Sequence, residues 1–113
     1  MEFLKANWPL ILLISWFGYR WLSGYLIKKK LPELKARGAY LIDVRSAGEF
    51  QSGCSPQSIN IPLNELPHRL KELGKERPIV VACASGMRSG RAKAILKQNG
   101  FSQVYNIGSW TNL

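Results

Sequence analysis

The chain has 113 residues, a formal net charge of +9 and 46% hydrophobic residues. This length gives room for one folded domain rather than two, and the apolar fraction suffices for a packed core. The basic residues form no aromatic-interleaved array and no nucleic-acid motif, so a membrane surface and a small anionic substrate are the expected partners, and nucleic acid is not. Two cysteines make no disulfide scaffold, and no Cys/His cluster has metal-ligand spacing, so we expect no metal site.

The first predicted element is an apolar, aromatic helix over residues 8–27. Twenty residues make a helix about 30 Å long, which is the thickness of a bilayer's hydrocarbon core. Arg20 is the one charged residue in this stretch, and its insertion cost of about 2.5–3.5 kcal/mol nearly offsets the gain from the apolar side chains. A span shifted toward the N-terminus, with Arg20 reaching back to the interface, relieves that cost.

Three lysines, Lys28, Lys29 and Lys30, follow this segment directly. By the positive-inside rule they predict that the remaining chain faces the cytoplasm, with the periplasm as the alternative. We therefore expect a single-pass anchor with its basic flank in residues 1–30, membrane lipid as one partner, and a folded domain in residues 31–113. Three other interpretations of the segment stay open: a cleaved signal peptide, a helix lying on the membrane surface, and a core helix that covers the domain.

The rest of the chain alternates short strands with helices. A linker at 30–32 leads into a short helix at 33–37, and a helix at 46–50 is capped by Ser46 with Glu49 in the capping-box position. Further helices are predicted at 65–73 and 89–98, and strands at 40–44, 58–61, 78–82 and 103–107. This alternation predicts an α/β fold with a small parallel sheet covered by helices on both faces. Ligands bind such sheets beyond the carboxyl ends of the strands, where Asp43 and Cys83 fall.

The segment from Ile79 to Arg91 is the most informative part of the chain. An apolar, β-branched strand ends at Cys83, small residues follow as far as Arg88, and a helix pattern begins. A tight loop at a helix N-terminus points its backbone N–H groups inward, and the helix dipole adds partial positive charge. Both favour a thiolate, which is the nucleophilic form of cysteine. A lone cysteine at a strand end is otherwise often a small core residue.

From about Leu34 to the C-terminus the chain resembles the rhodanese family of single-domain sulfurtransferases. The resemblance is carried by four motifs in order: LIDVR at 41–45 followed by Glu49-Phe50, SINIP at 58–62, CASGMRS at 83–89, and GF at 100–101 followed by VYNIG at 104–108. It implies a rhodanese-like fold for the domain, preceded here by one hydrophobic N-terminal helix.

The resemblance also implies a reaction. Cys83 would attack the outer sulfur of a small anionic donor such as thiosulfate, become a persulfide, and pass that sulfur to a thiol or cyanide-like acceptor. Arg88 would attract the anionic end of the donor and lower the pKa of the thiol by its charge. No cofactor is needed. The loop residues expected to bind the substrate are Ala84, Ser85, Gly86, Met87, Arg88 and Ser89.

Two alternative functions are considered beside sulfur transfer. Cysteine-dependent phosphatases and arsenate reductases of similar fold have five residues between cysteine and arginine, whereas four separate Cys83 from Arg88 here. The other rival is a non-catalytic binding module of the same fold that recruits a partner to the membrane. We further expect Asp43 and Arg45 to form a structural hydrogen-bond or ion-pair network rather than to catalyse, with Glu49 as a candidate third member, and Trp110 to cover apolar surface or pack on the N-terminal region. The oligomeric state is left open.

Overall fold

The computed structural model describes residues 2–113, and a single long helix, α1, runs from Glu2 to Ala36. Asn7 departs from helical dihedral angles, with φ of −117° and ψ of 15°. Pro9 explains this kink, because it lacks an N–H group and its ring crowds the preceding turn. The Asn7 amide donates to the Phe3 carbonyl at 2.8 Å and so satisfies a backbone group beside the break.

The C-terminal end of α1 is closed by a Schellman motif. Gly38 has a φ of 78°, which favours glycine, and its N–H donates to the Lys35 carbonyl. The N–H of Ala39 donates to the Leu34 carbonyl. Ala39 and Leu34 also share one apolar cluster, the contact that usually accompanies this motif.

The linker expected at residues 30–32, and the separate helix after it, are wrong because α1 continues through Pro32. Leu31 and Leu34 are buried within one turn of each other, so packing on the sheet holds the helix together across the proline. Pro32 itself is exposed. Because proline has no N–H group, one carbonyl in the preceding turn has no helical donor. This carbonyl and the Pro32 ring lie on the side of the helix that faces solvent.

The predicted α/β fold is confirmed. Four strands form one parallel sheet in the order β2-β1-β3-β4. A register shift lies between Val81 and Ala82 where β3 pairs with β4. The strands are β1 (Tyr40–Asp43), β2 (Ile59–Asn60), β3 (Ile79–Cys83) and β4 (Val104–Ser109), and the two further helices are α2 (Ala47–Ser52) and α3 (Met87–Gln98).

The core lies on both faces of the sheet, and β3 is buried along its whole length. Alternate side chains of a strand point to opposite faces, so Val81 and Cys83 join one cluster, whereas Val80 and Ala82 join the other. The first cluster packs on α3 through Ala92 and Leu96 and contains Leu66 and Leu73. The second cluster includes Ile107 together with Leu31 and Leu34 from the last turns of α1, and the partly buried Trp110 packs against it. The C-terminal part of the long helix is therefore one of the two covering layers.

Two helix predictions need correction. The helix expected at 65–73 is a pair of short 3₁₀ turns, Leu66–His68 and Leu70–Glu72. Pro67 suits the first turn of a helix, but the chain leaves helical geometry at Arg69, where φ is −122°. Helix α3 begins two residues earlier than expected, at Met87, directly after Gly86 with its φ of 99°.

The N-terminal half of α1 extends away from the domain. Except for the half-buried Ile11, its large apolar side chains from Phe3 to Leu26 are 47–72% exposed, and the buried residues of the helix are Leu31 and Leu34. The molecule accordingly measures 55 Å along its longest axis, against 29 Å and 26 Å along the others. By length and composition α1 is a helix that could cross a membrane. Such a helix near an N-terminus is by itself weak grounds for an anchor.

Candidate active site

The Cys83 thiol lies buried at the carboxyl end of β3, at the base of the loop that leads into α3. The backbone N–H of Gly86 donates to Cys83 Sγ at 2.9 Å, and Ser89 Oγ lies 3.4 Å from the same sulfur. This turn requires glycine at position 86. Its φ is 99°, and an added Cβ would stand 3.4 Å from the Cα of Gly108.

The loop lowers the pKa of the Cys83 thiol below its ordinary value. Burial alone raises this pKa, because it disfavours the charged form. Hydrogen bonds from the Ser89 side chain and from the backbone N–H groups of Ser89, Gly86 and Ser85 act in the opposite direction and outweigh the burial. The arrangement therefore favours a thiolate, as a nucleophilic cysteine needs.

Asn106 holds the loop from the neighbouring strand, and sequence analysis gave it no role. Its amide group donates to the Gly86 carbonyl at 3.1 Å, and its Oδ1 accepts from the Ser89 hydroxyl at 2.7 Å. The N–H of Gly108 also donates to Oδ1, at 3.0 Å. The sequence signal was available, since Asn106 is a polar residue near the carboxyl end of a strand in the same sheet as Cys83.

Arg88 forms a bidentate ion pair with Glu49 rather than standing alone beside the thiol. The two nitrogen–oxygen distances are 2.6 Å and 3.0 Å, and both side chains are 38% exposed. Hydrogen bonds from Arg88 and then from the Ser46 backbone lower the pKa of Glu49 to about 2. The Glu49 hydrogen bond raises the pKa of Arg88 above its ordinary value. The predicted capping box between Ser46 and Glu49 is confirmed.

The predicted ion pair between Asp43 and Arg45 is confirmed, but Glu49 is not part of it. Arg45 Nη2 lies 2.8 Å from Asp43 Oδ2, and both side chains are almost fully buried. The same nitrogen donates to the Gly53 carbonyl at 2.6 Å, and the guanidinium lies 4.4 Å from the Trp110 ring. The pair therefore ties the end of β1 to the segment after α2 and to the C-terminal turn.

The structure brings Gly86 and Ser89 into contact with Cys83 Sγ, and the backbone N–H of Ser85 also acts on this thiol. Ala84, Ser85 and Met87 are exposed, and Met87 is 68% exposed. A cleft of about 430 Å³ lies beside the loop, where it could admit a small anion because Arg88 and Arg91 both line it. Its other lining residues are Val44, Ser46, Pro62, Leu63, Asn64 and Ile95.

The second cysteine lies apart from this loop. Cys54 is exposed and Cys83 is buried, and both are free thiols. Within residues 2–113 there is no group of three or more His, Cys, Asp and Glu side chains placed to hold a metal ion. The loop itself offers one thiol of lowered pKa among hydrogen-bond donors.

Comparison with known proteins settles the family. The rhodanese-like domain family matches residues 27–112. The chain belongs to this family. The uncharacterized protein YqhL of Bacillus subtilis is 33% identical over 110 residues, which cover 90% of this chain and 87% of that protein. The unmatched tenth of the chain is shorter than its apolar segment, so the likeness to YqhL reaches into α1.

Proteins named as sulfurtransferases or as a rhodanese resemble the domain part of the chain. The thiosulfate sulfurtransferase GlpE of Pseudomonas savastanoi is 36% identical over 74 residues, which cover 66% of this chain and 70% of that one. Among solved structures, a rhodanese with anions from E. coli is 34% identical, with a TM-score of 0.62 and coverage of 66% and 91%. The human single-domain sulfurtransferase TSTD1 is 29% identical, with a TM-score of 0.62 and coverage of 74% and 88%. At the level of the family these relatives support sulfur transfer.

Proposed function

We propose that this protein is a membrane-anchored sulfurtransferase that carries a sulfane sulfur on Cys83. The observation that carries the proposal is the contact between the Gly86 N–H and Cys83 Sγ at 2.9 Å, inside a loop that lowers the pKa of a buried thiol. A core cysteine with no chemical role needs neither an inward-pointing N–H group nor a lowered pKa.

The reaction has two displacements at sulfur. The Cys83 thiolate attacks the outer sulfur of a thiosulfate-like donor, an Sγ–S bond forms, and sulfite leaves with the electron pair of the broken S–S bond. A thiol or cyanide-like acceptor then attacks the outer sulfur of the persulfide, and Cys83 leaves as a thiolate. The N–H groups that favour the thiolate would also stabilise the persulfide anion, because they are already aimed at this position.

Arg88 and its neighbours would receive the donor. The proposed binding set is Ala84, Ser85, Gly86, Met87, Arg88 and Ser89. Because Glu49 is paired with Arg88, its negative charge weakens the attraction between Arg88 and an anionic donor. The ion pair also fixes the position of the Arg88 guanidinium beside the cleft. Arg91 lines the same cleft and has no ion pair among residues 2–113, so it adds an uncompensated positive charge.

The exposed apolar half of α1 supports a single-pass anchor. Large apolar side chains that are about half exposed or more present a continuous apolar surface to water, and insertion into a bilayer would bury this surface. The proposed organisation is an anchor with its basic flank in residues 1–30 and the rhodanese-like domain in residues 31–113, facing the cytoplasm because Lys28, Lys29 and Lys30 follow the apolar stretch. Carbonate extraction of membranes tests the anchor, since a spanning helix should keep the full-length chain in the pellet.

The sulfur-transfer proposal is tested by intact mass. The full-length chain in mild detergent is incubated with thiosulfate, and we expect the mass to increase by one sulfur atom and to return after addition of a thiol or cyanide. Cys83→Ser should abolish the adduct, and Cys54→Ser is the matched control that should keep it. An adduct that disappears with Cys54→Ser, or no adduct at millimolar thiosulfate, would favour the binding module instead.

A further inference from the structure

A cleft of about 250 Å³ separates α1 from the domain, directly beside the catalytic loop. Two of its lining side chains, Arg20 and Lys93, are cationic, and none is acidic. Hydroxyl groups of Tyr19 and Ser23 and the amide group of Asn106 add polar partners. The remaining lining residues are Gly24, Ile27, Gly86, Ile107 and Gly108.

Within residues 2–113 the two cations of this cleft have no ion-pair or hydrogen-bond partner. Among the side chains of residues 2–113, neither Arg20 nor Lys93 forms an ion pair or donates a hydrogen bond, so the charges and donors of both remain available. Arg20 lies over the Trp16 ring at 5.1 Å, and its Nη2 is 3.5 Å from the place that a Cβ on Gly86 would occupy. The guanidinium is thus held between the helix and the loop.

The position of the cleft along α1 points to the kind of ligand. The helix buries no side chain before Leu31, and Tyr19 is the first of its residues to line this cleft. In the span shifted toward the N-terminus, the part from residue 2 to residue 18, which begins with the charged Glu2 and Lys5, would be about 25 Å long, somewhat shorter than the roughly 30 Å of a hydrocarbon core. If this part enters a bilayer, the cleft therefore lies at the level of the lipid headgroups.

The aromatic and basic side chains of α1 near the cleft are of the types that occur at the level of the lipid headgroups. Tyr19, Trp21 and Tyr25 are 71%, 72% and 47% exposed, and aromatic side chains of this kind concentrate at membrane–water interfaces. The lysines at 28–30 follow one turn farther along the helix. A planar guanidinium binds phosphate oxygens with two parallel hydrogen bonds, and an ammonium group adds a point charge.

We propose that this cleft binds the phosphate group of an anionic phospholipid, with Arg20 and Lys93 as its ligands. At about 250 Å³ the cleft is large enough for a phosphate with part of its glycerol. Because Gly86 and Asn106 form one wall of the cleft and also hold the Cys83 loop, the bound headgroup would sit directly behind the catalytic loop. The proposal rests on the membrane anchor proposed above.

The test measures lipid retention on the full-length chain in mild detergent. Short-chain phosphatidylglycerol is added, and bound lipid is counted by native mass spectrometry. We expect one lipid to be retained, and the Arg20→Gln/Lys93→Gln double variant to bind it about twenty-five-fold more weakly, taking about five-fold for each basic residue that meets an anionic lipid. The Lys71→Gln/Lys97→Gln variant removes the same charge from exposed positions outside the cleft and should bind normally.

Two further arms identify the source of the phosphate. Diacylglycerol of the same chain length, which lacks phosphate, should bind as weakly to the wild type as phosphatidylglycerol binds to the double variant. Inorganic phosphate that displaces the lipid at equal concentration would overturn the lipid assignment, as would equal retention by the two double variants. The mass test for the Cys83 persulfide and the carbonate extraction are separate measurements, so failure of the sulfur-transfer proposal or of the anchor can be distinguished from failure of this one.

Discussion

Ser89 Oγ lies 2.7 Å from Asn106 Oδ1, and because an amide oxygen can only accept, Ser89 donates its one proton there. The same hydroxyl is 3.4 Å from Cys83 Sγ. While Cys83 is a thiol, its S–H group can donate to Ser89; once it is a thiolate, Ser89 can turn its proton toward the sulfur. Asn106 Oδ1 then still accepts from the Gly108 N–H. The hydroxyl therefore has a partner in both states of the thiol.

A change at Asn106 should alter the thiol through this contact. We predict that Asn106→Asp raises the pKa of Cys83, because the new carboxylate adds negative charge and keeps the Ser89 proton. A full charge within about 6 Å, at an effective dielectric of about 20, is enough for a shift of one to two pKa units. The rate of iodoacetamide alkylation as a function of pH measures it. Asn99→Asp, at the far end of α3, is the control with the same charge, and identical profiles for the two variants would contradict the role of Asn106.

Removal of the Ser89 hydroxyl should act in the same direction for a different reason. Its hydrogen bond is the largest of the contributions that lower the pKa of Cys83, so Ser89→Ala should raise that pKa and slow alkylation at neutral pH. Above the raised pKa the two alkylation rates should converge, since the thiolate is then fully formed in both proteins. A variant that remains slow at high pH would indicate a distorted loop instead.

The ion pair between Arg88 and Glu49 leads to a prediction about donor affinity. Glu49→Gln removes the carboxylate charge from Arg88 but can keep the capping interaction with Ser46, because glutamine also serves in a capping box. We expect KM for thiosulfate to fall about five-fold, as for one exposed ion pair, while the alkylation profile of Cys83 changes little. Arg88→Ala should raise KM for thiosulfate, and the raised value should persist in the Glu49→Gln/Arg88→Ala double variant. A lower KM in the double variant would show that Glu49 acts independently of Arg88.

The lowered pKa of Glu49 also determines where the pair responds to pH. A carboxyl whose pKa falls from 4.5 to about 2 in the folded chain contributes stability that is present above pH 4.5 and is lost as the pH falls toward 2. Between pH 5 and 9 the pair should therefore stay intact, and the pH dependence of persulfide formation should report the Cys83 thiol. Carbon NMR of the labelled Glu49 carboxyl checks this, and a titration midpoint above 4 would contradict it.

Local signals explain why much of this site could be predicted. The capping box joins Ser46 to Glu49, which are three positions apart, and the strand that ends at Cys83 is one uninterrupted apolar run. Both features can therefore be read from neighbouring residues alone. The alternation of strands and helices was enough for a parallel sheet, which brings Asp43 and Cys83 to one edge. The rhodanese-like motifs then placed the thiol in its loop.

Contacts between distant residues explain what could not be predicted. Glu49 and Arg88 are 39 positions apart, and Ser89 and Asn106 are 17 apart, so no spacing rule pairs them. The continuation of α1 through Pro32 depends on packing against a sheet that forms from later residues. The helix expected at 65–73 is interrupted at Arg69, which leaves helical geometry between two 3₁₀ turns, and the amphipathic pattern of the segment carries no signal of this break.

The buried pair of Asp43 and Arg45 should be important for stability. Arg45→Ala leaves the Asp43 carboxylate buried without its partner, and we expect a loss of about 3–5 kcal/mol in the free energy of unfolding. Urea unfolding of the full-length chain measures this. The Asp43→Asn/Arg45→Met variant removes both charges together and should lose less than Arg45→Ala alone. Equal losses for the two variants would mean that the packing of Arg45 on Trp110, rather than the unpaired charge, dominates.

Removal of the N-terminal half of α1 and removal of the whole helix should have different effects on the stability of the domain. A variant that lacks residues 2–18 keeps Leu31 and Leu34 and should retain the folded domain, because the deleted part buries no side chain. A variant that begins at residue 38 loses both leucines and exposes the face of the sheet formed by Leu41, Val80 and Ala82. Burial of each leucine stabilises by about 1.5–3 kcal/mol, so this variant should unfold at much lower urea concentration or aggregate. If both truncated chains unfolded at the same urea concentration, the C-terminal part of α1 would not be a layer of the domain core.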